Sequence, residues 1–183
     1  MRRAVFLDRD GVLNRAVLRE GKPYPPATLG ELRVLSGVRD ACRKLREAGF
    51  ALILITNQPD IARGATTAGH VAEINARLQR YLELDDVRVC PHDDDARCAC
   101  RKPQPGLLLD AARKWNIDMA ASFVVGDRWR DVEAGHRAGC QAVFVDHGYR
   151  ERRPDGPYLK VRSLREAAHW IMQTAQGEHR RHA

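Results

Sequence analysis

Residues 4–11 read Ala4-Val5-Phe6-Leu7-Asp8-Arg9-Asp10-Gly11. An apolar run of strand length stops abruptly on two carboxylates and a glycine. Arg3 to Leu7 therefore predicts a short buried strand, and the unbroken apolar stretch suits a strand covered on both faces. Ala51 to Ile55 repeats the pattern and stops at Thr56-Asn57-Gln58. Val87–Val89, Phe123–Val125 and Ala142–Val145 complete the set of predicted strands, and the run at 123–125 stops at Gly126-Asp127.

Helical spacing fills the intervals. Val38, Ala41, Cys42, Leu45 and Ala48 share one stripe, and Gly49 is suited to the turn that ends it. Thr66 or Thr67 can cap a helix that carries Val71, Ile74, Leu78 and Tyr81 on its inner face. Leu107 to Trp115 is helical, a shorter helix ends at Ala138 before Gly139, and Ser163-Leu164-Arg165-Glu166 is a capping-box signature for a last helix. Strands alternating with helices predict an α/β fold: a three-layer, Rossmann-like parallel sheet with helices on both faces. Residues 15–35 carry Pro23, Pro25 and Pro26 and read as a long surface loop. One domain over 1–175 and a basic tail over 176–183 are expected.

Composition narrows the function. The chain has 183 residues, 44% of them apolar and 30% charged, with no apolar run near the ~20 residues that span a bilayer. A cytoplasmic protein without membrane association is expected. The net charge of +7 suits an anionic ligand, while 6% aromatics offer no stacking platform for nucleic acid. The odd count of five cysteines argues against a disulfide framework.

In parallel sheets, ligands bind beyond the carboxyl ends of the strands. The polar motifs sit at such ends. Asp8 and Asp10 are two residues apart and can face one pocket, one as a nucleophile on phosphorus and the other as proton donor and acceptor. Asp127, with Asp131 one helical turn on, offers hard oxygens for Mg²⁺. Thr56 can hydrogen-bond phosphoryl oxygens, and Lys102 can neutralise transition-state charge. Each motif alone reads as a turn, a cap or a surface residue; their order and shared position give them weight.

Cys90-Pro91-His92 and Cys98-Ala99-Cys100 supply three thiolates and one imidazole, a soft set of four that suits tetrahedral Zn²⁺ in a closed, structural site. The ligands lead directly into Arg101-Lys102, so zinc is expected to fix the loop that aims both cations. Cys42 and Cys140 read as core residues.

The segments FLDRDGVLN (6–14), LITNQ (54–58), RKP (101–103) and VVGDRWRD (124–131), in that order, resemble the haloacid dehalogenase-like (HAD-like) phosphatases. The resemblance implies Asp8 as nucleophile, Asp10 as general acid and base, and Thr56 with Lys102 on the phosphoryl group. It implies Mg²⁺ held by Asp8, the Asp10 carbonyl and Asp127, with Asp131 supporting its water shell. No long insertion is present, which resembles the cap-less branch; the 15–35 loop is expected to lie over the pocket instead. The zinc loop running into RKP is similar to that of the heptose-bisphosphate and histidinol-phosphate phosphatases. FLDRDGVLN and IARG (61–64) favour the heptose enzymes, which serve lipopolysaccharide and S-layer precursor synthesis. By that likeness Asn57, Arg101 and Arg128 contact substrate, a small phosphorylated sugar, and a monomer is expected. Two departures bear on the substrate. Pro59-Asp60 stands where the heptose enzymes usually read Ser-Gly, and five residues separate His92 from Cys98, closer to the histidinol-phosphate pattern. The other readings are a different sugar-phosphate phosphatase, a nucleic-acid-end phosphatase and a zinc-stabilised binding module.

Overall fold

The computed structural model describes residues 1–179. The chain runs β1 (Ala4–Leu7), β2 (Val17–Arg19), β3 (Lys22–Tyr24), α1 (Val38–Glu47), β4 (Ala51–Asn57), α2 (Ala68–Leu82) and β5 (Asp86–Cys90). It continues through α3 (Gly106–Trp115), β6 (Phe123–Gly126), α4 (Trp129–Ala138), β7 (Gln141–Val145), β8 (Leu159–Val161) and α5 (Leu164–His179). Among the described residues, a six-stranded sheet has the order β5-β4-β1-β6-β7-β8, and every pair in it is parallel.

The side-chain period of two builds a core on each face. Val5, Leu7, Leu52 and Leu54 pack with residues of α1, α2 and α5, whereas Phe6, Ile53 and Ile55 pack with residues of α3 and α4. This is the predicted three-layer sandwich. The chain builds outward from β1 through β4 to β5, then crosses to β6 on the other side. The crevice beyond β1 is thus a topological switch point, where open α/β sheets bind ligands.

Three sequence expectations change. The 15–35 segment contains an antiparallel hairpin, β2–β3, turned by Glu20 and Gly21 with φ of 52° and 79°. Two successive left-handed residues suit a tight hairpin, and three-residue strands are too short to show a period. The edge strand β8 escaped notice for the same reason. Tyr81, expected on the buried stripe of α2, is 41% exposed. At ~100° per residue, Leu82 rather than Tyr81 returns to the face of Val71, and Leu82 is buried. The basic tail expected at 176–183 overlaps the end of α5, and residues 180–183 lie outside the described residues.

Candidate active site

The strand-end motifs converge. Asp8, Asp10, Thr56, Asn57, Arg101, Lys102, Arg128 and Asp131 line one cleft of about 230 Å³. Asp127 lies below it, 2% exposed. The wall also includes Pro23, Tyr24 and Pro25, so the proline-rich segment does border the pocket.

Asp8 leaves β1 with its amide still donating to the Val125 carbonyl at 2.9 Å, which fixes its backbone to β6. Gly11 then turns the chain at a φ of +93°. A Cβ there would lie 1.8 Å from Asp127 Oδ2, so only glycine lets this turn close over the Asp127 carboxylate. Lys102 reaches in from the loop after the cysteines. Its ammonium donates to Asp8 Oδ1 at 2.5 Å and to the Ile55 carbonyl at 3.1 Å, and it pairs with Asp131 Oδ1 at 2.6 Å. Asn57 holds that loop from both sides: its Nδ2 donates to the Lys102 carbonyl at 3.0 Å and its Oδ1 accepts from the Lys102 amide at 3.1 Å. The side chain expected on substrate is therefore engaged in seating Lys102.

Asp8, Asp127 and Asp131 bring carboxylate oxygens within 4.8 Å of one another. Burial pulls the Lys102 pKa down, but Asp131 and Asp8 outweigh it and keep the ammonium protonated. Burial pushes Asp8 up to about 6 against the pull of Lys102. Burial, then Asp8 and Asp131, push Asp127 well above the carboxylate range. The three acids differ in what they lack. Asp131 has one oxygen on Lys102 and the other on the Arg128 amide at 3.0 Å. Asp127 has no hydrogen-bond partner of good geometry on either buried oxygen, although the Tyr149 hydroxyl stands beside it. Two carboxyl oxygens without a well-aligned partner, beside a second carboxyl group, suit a hard divalent cation.

Asp10 is oriented from three directions. Its Oδ2 accepts from Arg9 Nε and Gln58 Nε2, both at 3.0 Å, and its Oδ1 accepts from Asn14 Nδ2 at 2.9 Å. Arg9, fully buried, continues to Asn75 Oδ1 on α2 at 3.0 Å. Gln58 Nε2 also donates to Thr56 Oγ1 at 2.9 Å, which leaves the Thr56 hydroxyl proton to donate elsewhere.

The cysteine loop forms the second cluster. Cys100 Sγ lies 3.0 Å from Cys90 Sγ and 3.4 Å from Cys98 Sγ, and Cys90 and Cys98 are 3.7 Å apart. His92 Nδ1 is 3.3 Å from Cys100 and 3.7 Å from Cys90. Ligands at ~2.3 Å from a tetrahedral zinc would be about 3.8 Å apart, so the four atoms are gathered slightly inside that size. Burial of Cys98 is outweighed by its neighbours' hydrogen bonds, which bring its thiol down to about 7. The cluster thus fits the zinc site read from the sequence. Beside it, Arg101 donates to Asp94 Oδ1 at 2.8 Å and to the His92 carbonyl at 3.0 Å.

Sequence reasoning missed Arg9, Asn14, Gln58, Arg63, Asp94, Arg130, Tyr149 and Glu151. Some of these sit inside quoted motifs: Arg9 and Asn14 in FLDRDGVLN, Arg130 in VVGDRWRD, Arg63 in IARG. Proximity to a motif was the available signal. Glu151, which pairs with Arg128, lies beyond β7 in a segment with no motif.

A carboxylate cluster and a buried lysine at the switch point of a parallel sheet define a phosphoryl-transfer site. A family model described as HAD-hydrolase-like matches residues 99–167. A D-glycero-beta-D-manno-heptose-1,7-bisphosphate 7-phosphatase of Yersinia pestis is 41% identical over 143 residues, covering 72% of this chain and 73% of the relative. The protein of that name from Escherichia coli (strain K12) is 38% identical over 183 residues, covering 93% and 88%. The crystal structure of D,D-heptose 1,7-bisphosphate phosphatase from B. bronchiseptica, complexed with magnesium and phosphate, superposes with a TM-score of 0.81 at 32% identity, covering 94% of this chain and 99% of that one. The chain belongs to the HAD-like hydrolases, and within them to the heptose-1,7-bisphosphate 7-phosphatase family. It is an enzyme, a phosphoric monoester hydrolase.

Proposed function

We propose that this enzyme removes the 7-phosphate of D-glycero-D-manno-heptose 1,7-bisphosphate through an aspartyl-phosphate on Asp8. The observation that carries the chemistry is Asp8 held between Lys102 and the unpartnered Asp127. The sugar reading is supported by the names of relatives that cover most of the chain.

Asp8 attacks phosphorus while Asp10 protonates the departing sugar oxygen; Asp10 then takes a proton from the water that cleaves the acyl phosphate, and Asp8 is regenerated. The contacts from Arg9, Gln58 and Asn14 aim the Asp10 carboxyl. Lys102 and the Thr56 hydroxyl stabilise the equatorial phosphoryl oxygens. Mg²⁺, held by Asp8, the Asp10 carbonyl and Asp127, supplies electrostatic stabilisation of phosphoryl charge. Asp131, with both oxygens engaged, orients rather than ligates. Arg101 and Arg128 meet the rest of the substrate, and Asn57 contributes by seating Lys102. Zn²⁺ on Cys90, His92, Cys98 and Cys100 is structural, since a closed set of four leaves no open position.

We infer a monomer acting in the cytoplasm. No helix among the described residues is long and apolar enough to cross a membrane. Nucleic acid is a poor fit, because 6% aromatics offer no stacking platform for bases. The five-residue interval between His92 and Cys98 favours histidinol phosphate as a second reading. Phosphate release from heptose 1,7-bisphosphate anomers, histidinol phosphate and 3′-phosphorylated oligonucleotides, with and without Mg²⁺, tests the assignment. Mg²⁺-dependent turnover at C7 of the heptose should exceed the others by at least tenfold in kcat/KM; faster histidinol phosphate hydrolysis would reverse the two sugar and amino-alcohol readings.

A further inference from the structure

Arg9 is the largest fully buried side chain among the described residues, and a buried cation has to be paired. Its fork takes a single carboxylate oxygen. Nε donates to Asp10 Oδ2 at 3.0 Å, and Nη2 pairs with the same oxygen at 2.9 Å. Gln58 Nε2 brings a third donor to Oδ2. Among the described residues, Oδ1 has one donor, Asn14 Nδ2 at 2.9 Å. A carboxylate oxygen has about two lone-pair sites. Oδ2 is therefore filled, and Oδ1 is the oxygen with room for a transferable proton.

Two contacts on one oxygen leave the guanidinium free to pivot about it. The third nitrogen stops the pivot, because Nη1 donates to Asn75 Oδ1 at 3.0 Å. Asn75 is 3% exposed and stands on the buried face of α2. Its helix neighbours Ile74 and Leu78 share a core with Val5 and Leu7 of β1, which ties this anchor to the strand that leads into Asp8. Asn75 Nδ2 is buried without a hydrogen-bond partner. An apolar residue at this position would avoid the cost of that amide. Asn75 supplies what an apolar residue lacks, an acceptor for Arg9.

We propose that Asn75 is a positioning residue for the acid step: through Arg9 it holds the Asp10 carboxyl so that Oδ1 serves the departing oxygen. This role rests on the aspartyl-phosphate reading above. In that step an Asp8 carboxylate oxygen bonds to phosphorus. The bond from phosphorus to the leaving oxygen breaks with its electron pair on that oxygen, and the proton on Asp10 Oδ1 moves to it. An alkoxide needs that proton to leave, whereas 4-nitrophenolate is a stable anion and leaves without it.

The test is kcat/KM of the full chain with Mg²⁺ on benzyl phosphate and on 4-nitrophenyl phosphate. This parameter covers the steps up to departure of the leaving group, so the later attack of water does not enter. Asn75→Leu keeps the side chain's size and removes the acceptor. It should lower kcat/KM by about tenfold or more on benzyl phosphate and by about threefold or less on 4-nitrophenyl phosphate. Asn75→Ala should give the same split, and serves if the leucine variant does not fold. Asn75→Asp keeps an acceptor oxygen in place and should hold both values within about threefold of wild type. A purely structural role would lower both substrates alike. Equal or absent losses in Asn75→Leu and Asn75→Ala, or the leucine variant's split in Asn75→Asp, overturn the inference. Asp10→Asn separates this failure from that of the underlying reading. It should lose about a hundredfold more on benzyl phosphate than on 4-nitrophenyl phosphate. If it does and the Asn75 variants do not show the split, only the role of Asn75 falls; if it loses both equally, the acid reading of Asp10 falls and takes the role of Asn75 with it.

Discussion

The molecule carries two clusters of metal-ligand chemistry, and they are built in opposite ways. Cys90, His92, Cys98 and Cys100 lie within eleven consecutive residues, and three of the four are partly or largely exposed. Asp8 lies more than a hundred positions from Asp127 and Asp131, and all three are buried. The first cluster orders a polar loop that has little apolar surface to bury. The second gathers acidic side chains, nearly buried, at the floor of the cleft, and a single lysine only partly offsets them. A zinc loop of this kind contributes folding energy, whereas buried like charges cost it. With zinc bound, the thiolate cluster would stabilise the loop, and the carboxylate cluster would carry the proposed reactivity.

The largest effect is expected from the reactive cluster. Asp8→Asn should lower kcat by roughly four orders of magnitude or more while the circular-dichroism melt remains cooperative. Near-normal turnover would remove Asp8 as nucleophile. Next comes the structural cluster. Cys98→Ser should release zinc, measured by elemental analysis, and destabilise the fold by ~3 kcal/mol or more. KM should also rise, because Arg101 hangs from the same loop. Full metal content together with full activity would break the link between the zinc loop and the cleft.

Asp127→Asn should separate the clusters cleanly. In metal-free protein the substitution replaces a buried carboxyl whose ionisation is opposed by burial, Asp8 and Asp131, so the melting temperature should stay level or rise. The thermal gain on adding Mg²⁺ should disappear, and calorimetry should detect no Mg²⁺ binding. A fall in metal-free stability comparable to that of Cys98→Ser would erase the contrast drawn here.

The smallest effect is one of pH. The folded Asp8 carboxyl is raised from 3.8 to about 6. Between those values the folded protein keeps a proton that the unfolded chain has already shed. This contribution to stability is present below the unfolded value and is lost as pH rises through the folded one. Asp127, raised further by burial and by its acidic neighbours, acts in the same direction. Metal-free protein should therefore lose stability from this cluster as pH rises from about 4 toward neutrality. Mg²⁺, competing with protons for these oxygens, should give a thermal gain that grows over the same interval. A gain independent of pH would mean that the carboxylates are ionised before the metal arrives.

The two clusters also differ in how far the sequence revealed them. The gathering of Cys90, His92, Cys98 and Cys100 was legible almost completely, because ligand type and short spacing are local properties. The turn at Asp8 was legible because an apolar strand ends on it. Asn57 was found, but its principal contacts were not: the clamp on Lys102 depends on β4 and the RKP turn lying side by side. The orientation of Asp10 depends on Arg9 reaching Asn75, 66 positions away. The hairpin β2–β3 and the edge strand β8 were missed because three residues carry no measurable period.

By itself, the sequence determined the alternation of strands and helices, the parallel sheet, the acids at the strand ends and the soft ligand set of the loop. These follow from apolar periodicity and side-chain chemistry, which the chain states residue by residue. Only the tertiary structure decided that Asp127 lacks a well-aligned hydrogen-bond partner, that Lys102 is shared between two carboxylates, and that Arg101 and Arg130 meet on Asp94. Each of these depends on burial and on distances between segments far apart in the chain, and a linear pattern specifies neither.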